Sequence, residues 1–433
     1  PLEMIERADY VVPRLAGIRY FEKPVGGYWL VAGAINTFGL NAFSLRLPAG
    51  LSAGLTALLL GVFVRQSTRR KDLGFLTAAV YLTMIMVVLI GTTNILDGPF
   101  TSMVVGSLVC SWLGLSQRNR WPFVGWFTLA GIFCGAAFLI KGFLAIVLPA
   151  MVIGPYLLWE RKWLTMLVVP WIPLAAAAAV ALPWAVMVHG QAPEFWHEFF
   201  WVEHVQRFTS AGGNQHAEPF WFFVPVLLGG MLPWTLVLPI ALMGWRVEDL
   251  RRPWVRYLIC WFVIPFMFFS IASGKLPTYI LPVMAPVAAF MAVGLVRRFQ
   301  DHRRPFKRAD LIPGAILLVL AFVVIIEWPL GNLPVQPWGA DGGWHFAILS
   351  AALFLWGILD WAAVRTPSPQ RRVMLMALSP MLLFGVLGIL FPTNLVSERK
   401  SPMAFIHAHH ELLEDSDVVV SDNQLTHSLT LET

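Results

Sequence analysis

Charged residues are scarce in this chain. Of its 433 residues, 13% are charged and 58% are hydrophobic, whereas a soluble globular domain has roughly 25% charged residues. The apolar residues occur in long blocks, and a block of about 20 residues is enough to cross a bilayer core as a helix. We therefore predict an all-α polytopic membrane protein with about twelve transmembrane helices. The predicted spans are 43–65, 73–91, 100–115, 123–140, 142–158, 163–187, 219–243, 254–272, 277–296, 311–330, 344–364 and 373–391.

Cysteine and the common cofactor motifs are also missing or rare. The three cysteines, Cys110, Cys134 and Cys260, all fall inside predicted spans, so they are interpreted as small core hydrophobes and not as a disulfide framework. No glycine-rich phosphate-binding motif follows a strand, and therefore a nucleotide cofactor is unsupported. The sequence HEFFW at 197–201 is not the HExxH motif of zinc proteases.

The middle of the predicted spans carries no charge. Ion-coupled transporters and proton relays usually place ionisable groups there, so this absence argues against a transporter. A non-catalytic membrane protein that binds or moves lipid stays open as an alternative.

The basic residues that are present mark the orientation of the chain. If the loops alternate between the two sides, one set of loops holds 21 of the 31 Lys and Arg residues, and 18 of the 25 acids lie on the other side. Basic loops stay in the cytoplasm, and both termini are therefore predicted to lie outside. The net charge of +6 is a topology signal and not a sign of nucleic-acid binding.

Candidate chemistry is confined to the outer side. Asp97, at the mouth of a span, is either a helix-capping acid or a carboxylate aimed into an outer cavity. Residues 194–207 have the pattern of an interfacial amphipathic helix, whose shared face carries His197, Trp201, His204 and Arg207 or Phe208. Its Trp and Phe residues are interpreted as part of an aromatic belt at the membrane interface. His204 and Glu22 are a possible metal pair, with zinc as the candidate ion.

Isolated cations also lie on the outer side, near aromatic residues and prolines. They are Lys23, Lys141, Arg207 and Lys275. Such cations often extend to lipid headgroups, but several around one cavity would suit phosphate oxygens.

Six motifs, in order along the chain, resemble one known family. They are YFEKPVGGYW (20–29), NILDGPF (94–100), LIKGFLA (139–145), FWHEFFWVEHVQRF followed by NQHAEPFW (195–221), LPW (232–234) and SGKLPTYILP (273–282). Together they resemble the bacterial lipid A aminoarabinose transferases, which are related to protein O-mannosyltransferases. The resemblance implies the C-type glycosyltransferase fold, with thirteen membrane helices in the family and about twelve in this chain.

The resemblance also implies a function. Members of this family transfer 4-amino-4-deoxy-L-arabinose from undecaprenyl phosphate to lipid A phosphates, which gives resistance to polymyxin and other cationic peptides. The implied location is the bacterial inner membrane, with the active site facing the periplasm, and the implied partners are the lipid-linked sugar and lipid A. No soluble cofactor is implied. Another polyprenyl-phosphate sugar transferase, acting on protein or a different glycan, is the alternative within the same fold.

On this resemblance, particular residues are expected to serve the site. Lys23 would hold the donor phosphate, Tyr20 would line the sugar or lipid path, and Tyr279 would add a phenol near the phosphate. Lys141, Arg207 and Lys275 are expected to bind substrate as well. Asp97 is the candidate catalytic carboxylate within the printed sequence.

The resemblance divides the chain into three parts. Residues 1–42 match the first periplasmic loop with its juxtamembrane helices, 43–391 the transmembrane glycosyltransferase domain, and 392–433 the start of a C-terminal periplasmic α/β domain. Family members carry a further helix and an acidic motif ahead of the segment that matches residues 1–15. We therefore expect the main catalytic acid to precede Pro1, the C-terminal domain to be truncated, and the chain as printed to be inactive.

Overall fold

The structure, a computed structural model, describes residues 1–15, 17–206, 218–300, 312–327 and 343–390. It divides into two compact units. The first comprises 1–13, 19–310 and 366–377, and the second comprises 14–18, 311–365 and 378–433. The start of the predicted periplasmic domain, 392–433, lies outside the described residues, and the predicted domain boundaries stay predictions.

The described secondary structure is helical apart from one two-stranded sheet, β1–β2. Before the first long helix lie α1 (Leu2–Glu6), β1 (Arg14–Leu15), β2 (Ile18–Arg19) and α2 (Gly26–Phe38). The helices that follow are α3 (Ala42–Thr68), α4 (Lys71–Leu82), α5 (Ile85–Gly91), α6 (Asp97–Leu115), α7 (Arg120–Lys141), α8 (Leu144–Trp159), α9 (Trp163–Val168), α10 (Trp171–Gln191), the π-helix α11 (His197–Gln206), α12 (Phe223–Gly230), α13 (Leu238–Leu242), α14 (Pro253–Ile271), α15 (Leu281–Gln300), α16 (Ile312–Glu327), α17 (Gly343–Arg365) and α18 (Pro369–Leu390). Four 3-10 turns join them, at Phe220–Phe222, Trp234–Val237, Val247–Arg251 and Pro277–Ile280.

The prediction of a polytopic helical protein is confirmed. Among the described residues, eight helices are long and apolar enough to cross a membrane, and two bent pairs raise that number to ten if each pair is one span. The bends are 69° between α4 and α5, and 94° between 220–230 and 234–242. The remaining two predicted spans correspond to α8 and α16, which have 16 residues each. Each of the twelve predicted blocks therefore contains helix, but two of them are sharply bent and two are short.

The two bends contact each other. The indole Nε1 of Trp234 donates to the hydroxyl of Thr83 at 3.0 Å, and the amide of Ile85 donates to the carbonyl of Leu232 at 2.8 Å. Backbone groups freed by a broken helix are tolerated within a membrane only where protein or water satisfies them. Here each break supplies a partner to the other, which explains why the LPW motif lies at this point.

A hydrogen bond and an ion pair on the predicted inner side join loops that the charge pattern placed together. Arg70 Nη1 lies 3.2 Å from Gln300 Oε1, and Arg256 Nη1 lies 2.9 Å from Glu160 Oε1. These contacts connect the loops near 65–72 and 297–308, and those near 159–162 and 244–256. The alternation of loops inferred from the sequence thus agrees with the contacts of the first unit.

In the second unit, α16 and α17 pack against each other. Trp356 of α17 and Leu383 of α18 form a small buried cluster. Asp360 is 7% exposed and accepts a hydrogen bond of 3.2 Å from the hydroxyl of Ser379. This partner offsets part of the cost of burying a polar side chain in an apolar helix.

Candidate functional site

An ion pair lies where α6 begins and α7 ends. Lys141 Nζ is 2.7 Å from Asp97 Oδ1, and the two side chains are 13% and 12% exposed. Because α6 and α7 pack along each other, the first residue of one meets the last residue of the other. The capping interpretation of Asp97 is not what the structure shows: the N-cap of α6 is Leu96, without a side-chain cap bond.

Two aromatic rings complete the surroundings of the lysine. Lys141 Nζ lies 5.6 Å from the ring centroid of Phe100 and 5.4 Å from that of Tyr279. A cation within about 6 Å of a ring face is attracted by the ring quadrupole. Tyr279 in turn lies against Phe269, with 5.9 Å between ring centroids. The structure therefore brings Asp97, Lys141 and Tyr279 together, and it adds Phe100, which the sequence analysis did not single out.

The glycine pair of the opening segment packs against the end of α7 and the start of α6, the two helices that carry Lys141 and Asp97. A Cβ built on Gly26 would lie 2.8 Å from the carbonyl oxygen of Leu139, and one built on Gly27 would collide with the side chain of Leu96. Leu139 is two residues before Lys141, and Leu96 directly precedes Asp97. The segment with the predicted phosphate ligand Lys23 is therefore fixed close to the ion pair.

These contacts predict different tolerance at the two glycines. We expect Gly26→Ala to destabilise the protein by about 1–3 kcal/mol, because its methyl group meets backbone that cannot move away. Gly27→Ala meets only the flexible end of Leu96, and we expect it to cost less than half as much. Thermal unfolding of both variants in detergent measures the difference, and equal melting temperatures would contradict the close approach of α2 to α7.

Lys23 and its neighbours are partly buried. Lys23 Nζ donates to the carbonyl of Glu22 at 2.9 Å, and the amide of Tyr20 donates to the carbonyl of Pro13 at 2.9 Å. Burial, followed by the nearby Glu22 charge, raises the pKa of Tyr28 to about 12. The substrate roles of Lys23 and Tyr20 stay predictions.

The predicted metal pair is only half described. Glu22 lies in the described opening segment, whereas the side chain of His204 lies outside the described residues. Among the side chains that are described, no group of three or more His, Cys, Asp or Glu could hold a metal. The zinc site therefore stays a prediction.

Two other predicted cations have different outcomes. Lys275 is 4% exposed, and its Nζ donates to the carbonyl of Glu218 at 2.6 Å. This bond ties the SGKLP turn to Glu218, just before the 3-10 turn Phe220–Phe222. Arg207 lies outside the described residues, and the substrate roles of both residues stay predictions.

The predicted interfacial helix is present in a different form. It is a π-helix over His197–Gln206, in which hydrogen bonds run from i to i+5. His197 and Trp201 are exposed, as a shared face predicts, whereas Phe195 and Phe199 are fully buried. The buried phenylalanines were treated only as part of an aromatic belt, and their inward face was missed.

A charged contact also fixes the start of this region. Arg19 pairs with Glu194 on the predicted outer side. A bond from its own backbone amide, with a smaller contribution from Arg19, holds the pKa of Glu194 below its usual range. Both side chains are largely solvated, so the pair contributes little stability.

Comparison with known proteins places this geometry among lipid-linked sugar transferases. Residues 4–199 match the family model of dolichyl-phosphate-mannose-protein mannosyltransferases. The chain is 33% identical to an undecaprenyl phosphate-alpha-4-amino-4-deoxy-L-arabinose arabinosyl transferase of Shewanella sediminis, over 98% of this chain and 77% of the relative. A protein of the same name from Yersinia enterocolitica is 35% identical, over 97% of this chain and 76% of the relative.

Solved structures show the same fold. The crystal structure of ArnT from Cupriavidus metallidurans bound to undecaprenyl phosphate superimposes with a TM-score of 0.75 at 23% identity, covering 99% of this chain and 78% of that one. The apo form of that protein gives a TM-score of 0.69. The predicted C-type glycosyltransferase fold is confirmed, and the chain belongs to the undecaprenyl phosphate-aminoarabinose arabinosyl transferase family.

Proposed function

We propose that this integral membrane protein transfers 4-amino-4-deoxy-L-arabinose from undecaprenyl phosphate to a phosphate of lipid A. The observation that carries the proposal is the Asp97–Lys141 pair where α6 begins and α7 ends, with the Lys23 segment packed beside it. Charged groups at a membrane boundary, next to helices that face lipid, suit two substrates that arrive sideways from the bilayer. The names of the relatives supply the sugar and its carrier.

The reaction breaks one bond and forms another at the same carbon. An oxygen of the acceptor phosphate attacks the anomeric carbon of the sugar, the bond from that carbon to the donor phosphate oxygen breaks, and undecaprenyl phosphate departs with the electron pair. Negative charge grows on the departing phosphate, so fixed cations there lower the barrier. An acceptor phosphate is largely ionised at pH 7, and the step therefore needs little help from a general base.

This chemistry assigns different tasks to Asp97, Lys23 and Tyr279. Lys141 Nζ already forms an ion pair with Asp97 and contacts the rings of Phe100 and Tyr279. Asp97 then acts chiefly by holding Lys141 in place, and Lys23 is the cation that contacts the donor phosphate. Tyr279, against the same lysine, offers its phenol to the phosphate or the sugar.

A second candidate function is transfer of another sugar to protein. The match of residues 4–199 to protein mannosyltransferases favours it. A hydroxyl acceptor would need a general base more strongly than a phosphate does. Asp97 is already engaged in the ion pair with Lys141 and is therefore poorly placed for that task, which favours the phosphate acceptor.

We further propose that the protein lies in the bacterial inner membrane with this site facing the periplasm, because basic loops stay cytoplasmic. Asn36→Cys and Asn119→Cys place single labels on exposed positions of opposite predicted sides. We expect an impermeant maleimide to label residue 36 in intact cells, and residue 119 only after lysis. Labelling of residue 119 alone in intact cells would show that the orientation is the opposite of the one predicted.

The function itself is tested on lipid A from cells. A strain that lacks its own aminoarabinose transferase receives the complete gene whose product contains this chain. Its lipid A is analysed by mass spectrometry, and its polymyxin resistance is measured. We expect added aminoarabinose and restored resistance. Unmodified lipid A, with glycosylated protein instead, would favour the mannosyltransferase alternative. No glycosylation of either kind, at a normal membrane level, would favour a lipid-binding role.

A further inference from the structure

Five aromatic side chains from three separate stretches of the chain meet beside the ion pair. We call them the aromatic hub: Phe21, Phe143, Trp184, Phe195 and Phe199. Phe195 is central, with ring centroids 5.4 Å from Phe21, 5.3 Å from Trp184 and 5.0 Å from Phe199. Phe199 continues to Phe143 at 5.8 Å. Phe195 and Phe199 have no exposed surface.

One end of the hub leads to Lys23. Phe21, which is 5% exposed, stands two residues before that lysine. At the same end, Trp184 Nε1 donates to the carbonyl of Val11 at 3.0 Å, so the hub also holds the stretch of chain that precedes Phe21. The opening segment is therefore attached to the hub at two points.

The other end leads to Lys141. Gly142 follows this lysine with φ of +74°, and a Cβ built on it would collide with the ring of Phe199. Positive φ and the absence of a side chain are both met by glycine. The C-terminal end of α7 is therefore shaped to receive Phe199, and the ring lies directly against the residue after Lys141.

We propose that Phe195 is a positioning residue that sets the distance between Lys23 and Lys141. This proposal rests on the proposed function. Phe195 touches no substrate, but it holds two charged segments in register through Phe21 on one side and Phe199 on the other. A phenyl ring packed between rings on several sides cannot be shortened without a shift, because protein interiors are close-packed. A displacement of about 1 Å among groups that bind a reacting substrate can cost about 100-fold in rate.

A purely structural role for Phe195 would be to bury apolar surface and anchor α11. The two roles differ in what a substitution changes. Loss of burial lowers stability alone, whereas loss of register lowers kcat in protein that is still folded. Phe127 is a matched control, since it is also fully buried but lies in the half of α7 toward Arg120, next to Phe123 at 4.8 Å.

The test compares Phe195→Leu with Phe127→Leu in the full-length protein, purified in lipid nanodiscs. We expect similar falls in melting temperature for both. Phe195→Leu should lose about tenfold or more in kcat, and Phe127→Leu less than about twofold, as expected for a site distant from the chemistry. Phe21→Leu tests the same link with a smaller loss of packing. Combined with Phe195→Leu, it should lower kcat no further than Phe195→Leu alone, because both break one connection.

Equal kcat for Phe195→Leu and Phe127→Leu at equal stability would overturn the inference. If Phe195→Leu does not accumulate, Phe21→Leu decides, and wild-type kcat in that variant would overturn the inference equally. Absence of transfer by the wild-type protein is a separate result. It would overturn the proposed function, and the inference with it.

Discussion

Replacement of Lys23 by alanine is expected to remove most of the transfer activity while the protein still inserts and folds. Lys23 lies three residues before Gly26, whose backbone packs against the end of α7. Loss of one charge-assisted contact made in the transition state should cost about 2–4 kcal/mol, or about 30- to 1000-fold in rate. The measurement is the rate of aminoarabinose transfer to lipid A, normalised to protein in the membrane.

Two further variants separate this role from a lysine that merely extends to lipid headgroups. Lys23→Arg should rescue activity only in part, because a planar guanidinium demands a different geometry from an ammonium. Lys162→Ala removes an exposed lysine on the predicted inner side and should leave activity near normal. Near-normal transfer by Lys23→Ala would leave the phosphate role without support.

Breaking the Asp97–Lys141 pair is expected to have the second large effect. Both side chains are nearly buried. Asp97→Asn therefore removes the negative charge that balances the ammonium of Lys141 and leaves it the contacts with two aromatic rings. Removing one partner of a buried pair costs about 3–5 kcal/mol in stability. Asp97→Asn and Lys141→Met should each lower the melting temperature, and each should lower activity about 100-fold or more.

The double variant distinguishes the structural cost from the chemical one. Asp97→Asn together with Lys141→Met leaves no uncompensated charge, so stability should recover toward the wild type. Activity should not recover, because the positioned ammonium is missing. A double variant as unstable as the sum of the two single variants would contradict the pairing, and recovered activity would contradict a role for Lys141 in catalysis.

The membrane architecture was predictable because its cause is local. A block such as 254–272 is apolar over its whole length, and in lipid its backbone can satisfy its hydrogen bonds only as a helix. The structure has α14 there, over Pro253–Ile271. Loop charge is equally local, and loops that are predicted to lie on the inner side contact each other. The broken spans were not predictable, since residues 83–84 and 231–234 leave the helix only because each break satisfies the other. Such compensation depends on tertiary contact.

The site was predictable in its parts but not in its pairing. Asp97, Lys141 and Tyr279 were recognised as candidates on one side of the membrane. Their convergence depends on the helix ends that meet there, which no spacing in the sequence reveals. Phe195 was missed for a different reason: among 31 phenylalanines and 20 tryptophans, an inward ring looks the same as one that faces lipid. The Gly142 position, directly after Lys141, was the one available signal of a close approach.

The proposed reaction moves aminoarabinose between two lipid phosphates. The most direct measurement uses purified full-length protein in nanodiscs with undecaprenyl phosphate-aminoarabinose and lipid A, followed by mass spectrometry of both lipids. We expect lipid A that is heavier by one or two aminoarabinose units, with release of undecaprenyl phosphate in equal amount. Lipid A of unchanged mass, in the presence of folded protein and intact donor, would contradict it.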